Sequence, residues 1–558
     1  MGARRVISNE IFERNLQVLG ERFPDTARLL KGKTIEVKGI RIVSSRSGRP
    51  YLRLTAHGVD QPLEDEVDPA RQAKEEIARC DPEARLAIIK GSGSGYLLRA
   101  ALAGRRFARV VLVEPEPAFF GLMLAMGDLR RALSDPRLSL YVGPGAIEES
   151  IRGLRNEYNF SCEPERFLVV LPPYVVLRHP AIGIRPGKEE AWEVRFRELA
   201  VTSDRNRATL DRFVDVWREH IWRNLPAILR SAPLTALEGV AKRARVPVIL
   251  VGAGPSLDRN VSVLKEYADR VAIIAVDTAL RSLVHAGIEP HFVIAVDATE
   301  ENVYDFDGLP TRRLRTALVM VPVVHPRIPE FFERRFVASY GHPVQNWIEE
   351  SLGERFGSLL VSGSVSTIGY DLARYLGGSP IILMGMDLAY GMGTHASGAR
   401  EHVGPMNRFE SRERNLFEEM KRAKITRPGW GGGTVATTLQ MVRWAEWFER
   451  EVKKTSCRTI NATEGGMRIA GAVEISLERA LKSYAGRNRF SMPRAEGFGK
   501  AALDRFSRAV ERLRAGGIAS ETVWRRLLLW ESAVRSEEEQ GRIRKEIRRL
   551  LDEYLAER

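Results

Sequence analysis

A chain of 558 residues is too long for one hydrophobic core, so several domains are expected. With 44% apolar and 28% charged residues its composition is that of a globular protein, which excludes intrinsic disorder. The net charge of +14 favours anionic partners, yet Lys and Arg are spread along the chain rather than blocked among aromatics, which argues against nucleic acid. Cys80, Cys162 and Cys457 are far apart and odd in number, which argues against a disulfide framework or a zinc site and for a reducing cytoplasm. No apolar signal core opens the chain and no apolar run is long enough to span a bilayer. The expectation is a cytoplasmic protein without membrane insertion.

Residues 1–68 predict a helix and a small β appendage. Ile11, Phe12, Leu16 and Leu19 share one face of a helix over 8–19, capped by Ser8, and residues 34–43 and 51–56 alternate as strands. Residues 69–186 predict a Rossmann-like α/β domain. The run Leu86 to Ile89 enters Gly91-Ser92-Gly93-Ser94-Gly95, a helix follows, and the strand from Val110 to Val113 ends at Glu114. That order resembles the S-adenosylmethionine site of Rossmann-like methyltransferases, with the acid on ribose hydroxyls. The alternative is a relic scaffold without ligand. Residues 187–243 predict a helical bridge, with Pro226 at a helix start and Trp192, Trp217 and Trp222 as core.

Residues 244–490 predict the catalytic α/β domain. Val248 to Val251 is a β-branched apolar run that stops at Gly252-Ala253-Gly254-Pro255-Ser256. A helix from Leu257, a strand Val271 to Val276 ending at Asp277-Thr278, a helix from Ala279 to Ala286 and a strand Phe292 to Val296 ending at Asp297 complete a parallel unit. Ligands of such sheets lie at the carboxyl ends of the strands. Gly252 and Gly254 permit close backbone approach, Pro255 suits a first helical turn, and Ser256 either caps the helix or donates to a phosphate. Leu257 takes the third glycine position of the dinucleotide fingerprint, and no Gly-Lys-Ser/Thr follows, so neither a dinucleotide site nor a P-loop is present.

Further strands are predicted over Thr316 to Pro322 and Arg335 to Tyr340. The SGSVS stretch, with Gly363, Ser364 and Val365, enters a helix from Thr367 to Leu376. The strand Ile381 to Met384 ends in Gly385-Met386-Asp387-Leu388-Ala389-Tyr390, and His395 follows in a glycine-rich loop. Residues 399–432 read as a charged insertion closed by a mobile Gly431 to Gly433 loop, and Thr434 to Lys454 as one amphipathic helix. A strand from Cys457 to Ile460 ends in Asn461-Ala462-Thr463-Glu464. Asp305-Phe306-Asp307 matches an Asp-x-Asp metal triplet but sits in a short linker. Residues 491–558 predict a C-terminal helical domain with a break near Ala515-Gly516-Gly517.

Five ordered stretches, VGAGPSLD, VDTALRSLVHAGIEPHFVIAVD, SGSVSTIGYDLARYLGG, ILMGMDLAYGMGTHASG and NATEGGMRIAG, together resemble the motility accessory factor (Maf) family of flagellin glycosyltransferases. The central part is also similar to bacterial sialyltransferases and to the MptE-like hydroxymethylpterin diphosphokinases. The resemblance implies an α/β multi-domain fold: an N-terminal Rossmann-like unit, a central sialyltransferase-like (GT-A-like) domain with a mainly parallel sheet, and a C-terminal helical domain. It implies transfer of a nonulosonic acid, pseudaminic or legionaminic, from CMP to Ser or Thr hydroxyls of flagellin. Gly252, Gly254, Pro255, Ser256, Asp277, Thr278, Asp297, Gly363, Ser364, Val365 and Glu464 would then hold the nucleotide-sugar. Asp387, Tyr390 and His395 would complete the pocket.

A CMP leaving group needs no metal, so no cofactor is expected; Mg²⁺ belongs to the alternative reading, ATP-dependent pyrophosphoryl transfer. Attack by a hydroxyl calls for a general base of near-neutral pKa, and His395 is the candidate. Asp387 is either the base or a helix N-cap. The non-enzymatic alternative is a flagellin-binding chaperone with a degenerate site.

Overall fold

The computed structural model describes residues 9–32, 36–56, 59–160, 168–180, 188–360, 363–390, 396, 425–516, 518–533 and 535–556. The chain divides into two compact units, Met1–Asp211 and Arg212–Arg558. The mixed α/β class and the parallel sheets are as expected. Among the described residues no helix is long and apolar enough to cross a membrane.

In the first unit a helix spans Asn9–Arg22; Ser8, its expected cap, lies outside the described residues. Ile40–Ser44 (β1), Pro50–Ala56 (β2) and Val59–Pro62 (β3) form an antiparallel sheet, the third strand being an addition to the two predicted. Leu86–Lys90 (β4), Arg109–Glu114 (β5), Leu138–Val142 (β6) and Tyr174–Arg178 (β7) form a parallel sheet in the order β6-β5-β4-β7. The continuous Val, Ile and Leu runs of β4 and β5 suit strands covered on both faces.

The glycine loop after β4 turns its polar groups inward. The Ser92 N–H and hydroxyl both donate to Glu114 at 2.9 Å. The Ser94 N–H donates to Glu64 at 3.0 Å, and its hydroxyl bonds the same carboxylate. His179 pairs with Glu64 at 3.0 Å, and its ring lies 2.3 Å from where a Cβ on Gly93 would sit. Two carboxylates and an imidazole thus fill the face on which a cofactor would be held, which favours the scaffold reading of this loop.

In the second unit the tryptophans of the helical lead-in are core, as their helical spacing suggests. Trp217 stacks on Phe213 and meets Trp530 edge-on, both at 5.6 Å, and Trp222 leans on Trp347. Pro226 lies in the first turn of the Leu225–Arg230 helix. The strands are Ala232–Pro233 (β8), Val248–Val251 (β9), Ala272–Val276 (β10), Phe292–Ala295 (β11), Ala317–Met320 (β12), Arg335–Val337 (β13) and Ile381–Met384 (β14), then a hairpin of Ile425–Pro428 (β15) and Thr434–Thr437 (β16), and finally Thr459–Asn461 (β17) and Val473–Glu474 (β18). Among the described residues nine of them make one parallel sheet, β18-β17-β14-β9-β10-β11-β12-β13-β8.

The strand order fixes the location of the site. From β9 the chain steps outward through β10, β11, β12 and β13, then returns to lay β14 on the other side of β9 and continues to β17 and β18. The order therefore reverses between β9 and β14, and a crevice opens at their carboxyl ends.

Two local expectations are corrected. Thr434 to Lys454 is not one helix: Thr434–Thr437 is β16 and the helix begins at Leu439, capped by the Thr438 hydroxyl. The β-branched residues around Ala436 suit a strand better than a helical turn. Gly431, Gly432 and Gly433, at φ of 69°, 112° and 71°, form the turn joining β15 to β16 rather than a separate loop. The Trp430 indole pins that turn to the Asn461 carbonyl at 2.8 Å. Residues 397–424, most of the predicted insertion, lie outside the described residues. The C-terminal helices Lys500–Ala515, Ile518–Leu527 and Glu537–Ala556 follow the predicted pattern.

Candidate active site

Two glycine-bearing strand ends build the crevice by approaching too closely for any side chain. Gly252 N–H donates to the Met384 carbonyl and Gly254 N–H to the Gly385 carbonyl, both at 2.8 Å. A Cβ on Gly252 would lie 2.6 Å from the Gly385 oxygen, and one on Gly254 would lie 1.9 Å from the Asp387 Oδ2. The glycines of GAGPS therefore serve close approach to the GMD strand end.

The crevice is a cavity of about 580 Å³. Its wall includes Gly252, Gly254 and Pro255 after β9, Asp277 and Thr278 after β10, Asp297 after β11, Gly363, Ser364 and Val365 before a helix, and Asp387 after β14. Nine of the eleven residues expected to hold a nucleotide-sugar, together with Asp387, thus surround one space. Ser256 lies just beneath that wall, with its hydroxyl 2.6 Å from Asp387 Oδ2. It neither caps its helix nor faces the cavity as a free donor.

Three helices start at this wall without a side-chain cap: Leu257–Lys265, Asp277–His285 and Val365–Tyr375. Their first-turn N–H groups and dipoles make a positive field from backbone alone. The charged side chains of the lining, Asp277, Asp297, Glu301 and Asp387, are all acidic, and among the described lining residues no Lys, Arg or His appears. Such a wall can meet an anion with peptide N–H groups and offer carboxylates to hydroxyl or amino hydrogens.

The acids differ in environment. Asp277 is buried; it accepts from Asn302 Nδ2 at 2.7 Å and from the Thr278 N–H at 2.8 Å. Asp297 is exposed and accepts the Thr299 N–H at 2.8 Å. Asp387 is 8% exposed. Burial pushes its carboxyl above the usual aspartate range, and the Ser256 hydrogen bonds oppose that shift only in part. A buried carboxyl of this kind is suited to proton transfer. No helix starts at Asp387, so it is not an N-cap for its own segment.

Three expected residues stand apart. The Glu464 carboxylate accepts the Leu477 N–H at 2.8 Å, so it serves the Leu477–Tyr484 helix and does not line the cavity. Its neighbours instead hold the backbone of Asp387: Met467 N–H donates to the Asp387 carbonyl at 2.7 Å, and Gly466, at φ 70°, lies against the same oxygen. Tyr390 follows the lining residue Ala389, is buried, and donates its N–H to the Ala436 carbonyl at 2.9 Å. His395 lies outside the described residues.

Asn302, Met441 and Trp444 are lining residues that sequence reasoning missed. Asn302 follows Asp297 by five positions in a short 3₁₀ turn. Met441 and Trp444 sit in an amphipathic helix, where periodicity alone reads them as core. Asp305 of the Asp-x-Asp triplet is buried and accepts from Asn302 at 3.0 Å. Among the described residues no three His, Cys, Asp or Glu side chains converge to hold a metal ion.

Comparison with known proteins agrees with this geometry. Residues 219–393 match the family model described as 6-hydroxymethylpterin diphosphokinase MptE-like. An uncharacterized protein of Treponema pallidum (strain Nichols) is 24% identical over 266 residues, 46% of this chain and 84% of that protein. The solved structure of MAf glycosyltransferase from Magnetospirillum magneticum AMB-1 aligns with 95% of this chain and 87% of its own, at a TM-score of 0.60 and 19% identity. At that identity the likeness is one of fold. The chain thus carries an MptE-like region over residues 219–393 within the fold of a MAf glycosyltransferase.

Proposed function

We propose that this protein is a glycosyltransferase that moves a nonulosonic acid from its CMP-activated form to Ser or Thr hydroxyls of flagellin, in the service of flagellar assembly and motility. The observation that carries the reading is the cavity at the β9–β14 switch point, of nucleotide-sugar size and bounded by three uncapped helix starts. Its fold-level likeness to a glycosyltransferase supports the same reaction class. The donor phosphate sits on the Gly252 to Pro255 loop, and Asp277 takes ribose hydroxyls.

In the reaction the acceptor oxygen attacks the anomeric carbon as the bond to the CMP phosphate oxygen breaks. The electron pair leaves with CMP, and a base takes the hydroxyl proton. His395 is the candidate base, with Asp387 as the second. His395→Ala is expected to keep CMP binding and abolish transfer; unchanged transfer would assign the base elsewhere.

The second reading is pyrophosphoryl transfer from ATP. It is favoured by the MptE-like match and by the four carboxylates of the lining, which suit a nucleotide arriving with Mg²⁺. Thermal melting separates the two. CMP at a concentration well above its Kd raises the melting temperature on the leading reading, and ATP with Mg²⁺ does not. A shift produced by ATP with Mg²⁺ alone would overturn it.

A further inference from the structure

The cavity is polarised along the sheet. Asp277, Asp297 and Glu301 stand toward β10 and β11, on one side of the β9 glycine loop. On the other side, next to β14, stand Asp387 and, from the start of the Leu439–Lys454 helix, Met441 and Trp444. That helix is seated through Val442 and Ala445, which pack with Ala389 and Met467. Met441 and Trp444, three positions apart, share the neighbouring face.

Trp444 differs from the other tryptophans. Of nine in the chain, the other eight each have a ring, cation or hydrogen-bond partner. One turn along the same helix, Trp447 is edge-packed on Tyr370 and Phe448 at 6.1 and 5.3 Å. Trp444 is half-buried on the cavity wall, and among the described residues no aromatic ring or cation stacks on it. A large flat apolar surface beside a polar loop is a platform for a ring.

We infer that Trp444 is the specificity-determining platform for the transferred sugar, stacking on the C–H face of its ring, while the acidic end beyond the glycine loop holds the nucleoside. This rests on the CMP-sugar reading and deepens it. Charge assigns the two ends. A nonulosonic acid carries its own carboxylate, which the three acids Asp277, Asp297 and Glu301 would repel, whereas the β14 end holds one acid, Asp387, which is 8% exposed and bonded by the Ser256 hydroxyl at 2.6 Å. Ribose hydroxyls and an exocyclic amino group are donors, which those acids accept. The sugar therefore belongs at the Trp444 end, where the Leu439–Lys454 helix begins and its dipole favours an anion.

The test is calorimetric titration of CMP and of a CMP-nonulosonic acid into the wild-type protein, Trp444→Ala and Trp444→Phe, each first checked for an unchanged melting curve. Trp444→Ala is expected to leave CMP affinity within about twofold and to weaken the CMP-sugar about tenfold, with Trp444→Phe close to wild type. Equal weakening of both ligands would put the base on Trp444 and overturn the assignment, as would no weakening of either. Wild-type protein that binds neither ligand would defeat the donor reading itself, a result distinct from failure at Trp444.

Discussion

Gly254→Ala tests whether the site is built by close approach of two strand ends. The added methyl would lie 1.9 Å from Asp387 Oδ2 and 2.7 Å from the Gly385 carbonyl oxygen, where real Cβ contacts stay beyond 3.0 Å. The carboxylate must therefore retreat by about 1 Å, which breaks its 2.6 Å bond with Ser256, itself almost wholly buried. The backbone oxygen has less freedom, because it already accepts the Gly254 N–H at 2.8 Å. Overpacking of this kind costs about 1–3 kcal/mol. For a unit of this size that lowers the melting temperature by roughly 1–4 °C. Scanning fluorimetry with and without CMP reads both effects: the lower melting point, and the loss of the CMP-induced shift. Gly541→Ala is the control, since Gly541 lies in the Glu537–Ala556 helix with no atom near a would-be Cβ, and that change is expected to stabilise by up to about 1 kcal/mol. A Gly254→Ala protein with wild-type melting and wild-type CMP response would refute the close-approach account.

Asp387→Asn is expected to raise the melting temperature at neutral pH, and loss of transfer with it, beside an active His395→Ala protein, would give the base role to Asp387. Burial holds the Asp387 carboxyl above its unfolded pKa, so the ionised form is the costly one. The penalty is absent at low pH and grows as pH rises through the folded value, so the gain from Asn should fade as pH falls into the ordinary aspartate range; a gain independent of pH would argue against it. His342 is fully buried and held down to about 3 by desolvation, with Arg218 adding to the effect. The unfolded chain then binds the extra proton, so stability is lost as pH falls below about 6.5, by about 2 kcal/mol at pH 5 relative to pH 7. Denaturant melts of His342→Gln should show a shallower slope between those pH values, and an unchanged slope would remove His342 from the acid response. S-adenosylmethionine is expected to leave the melting temperature unchanged, because Glu64, Glu114 and His179 fill the first glycine loop; a clear shift would revive a cofactor site there.

The central strands were legible because each is a short β-branched run cut off by glycine or aspartate, and the carboxyl-end rule then located the site. That reasoning reached Gly252, Asp277, Asp297 and Asp387 without knowledge of strand order. It could not tell which strand-end side chains turn into the cavity. Glu464 looks like another strand-end acid, yet it reaches a helix that starts thirteen residues later. Trp444 and Trp447 lie on one amphipathic pattern, and only the packing around Tyr370 separates platform from core. The two-residue strand β8 is too short to leave a periodic signal, and the Thr434 to Thr437 strand runs into its helix with no glycine or proline to mark the change.

The most direct test is the intact mass of flagellin after incubation with this protein and a CMP-nonulosonic acid. The account predicts a gain of one or more nonulosonic acid masses on Ser or Thr, with matching release of CMP. An unchanged flagellin mass under conditions where the protein is folded and binds the donor, or pyrophosphoryl transfer from ATP in its place, would contradict it.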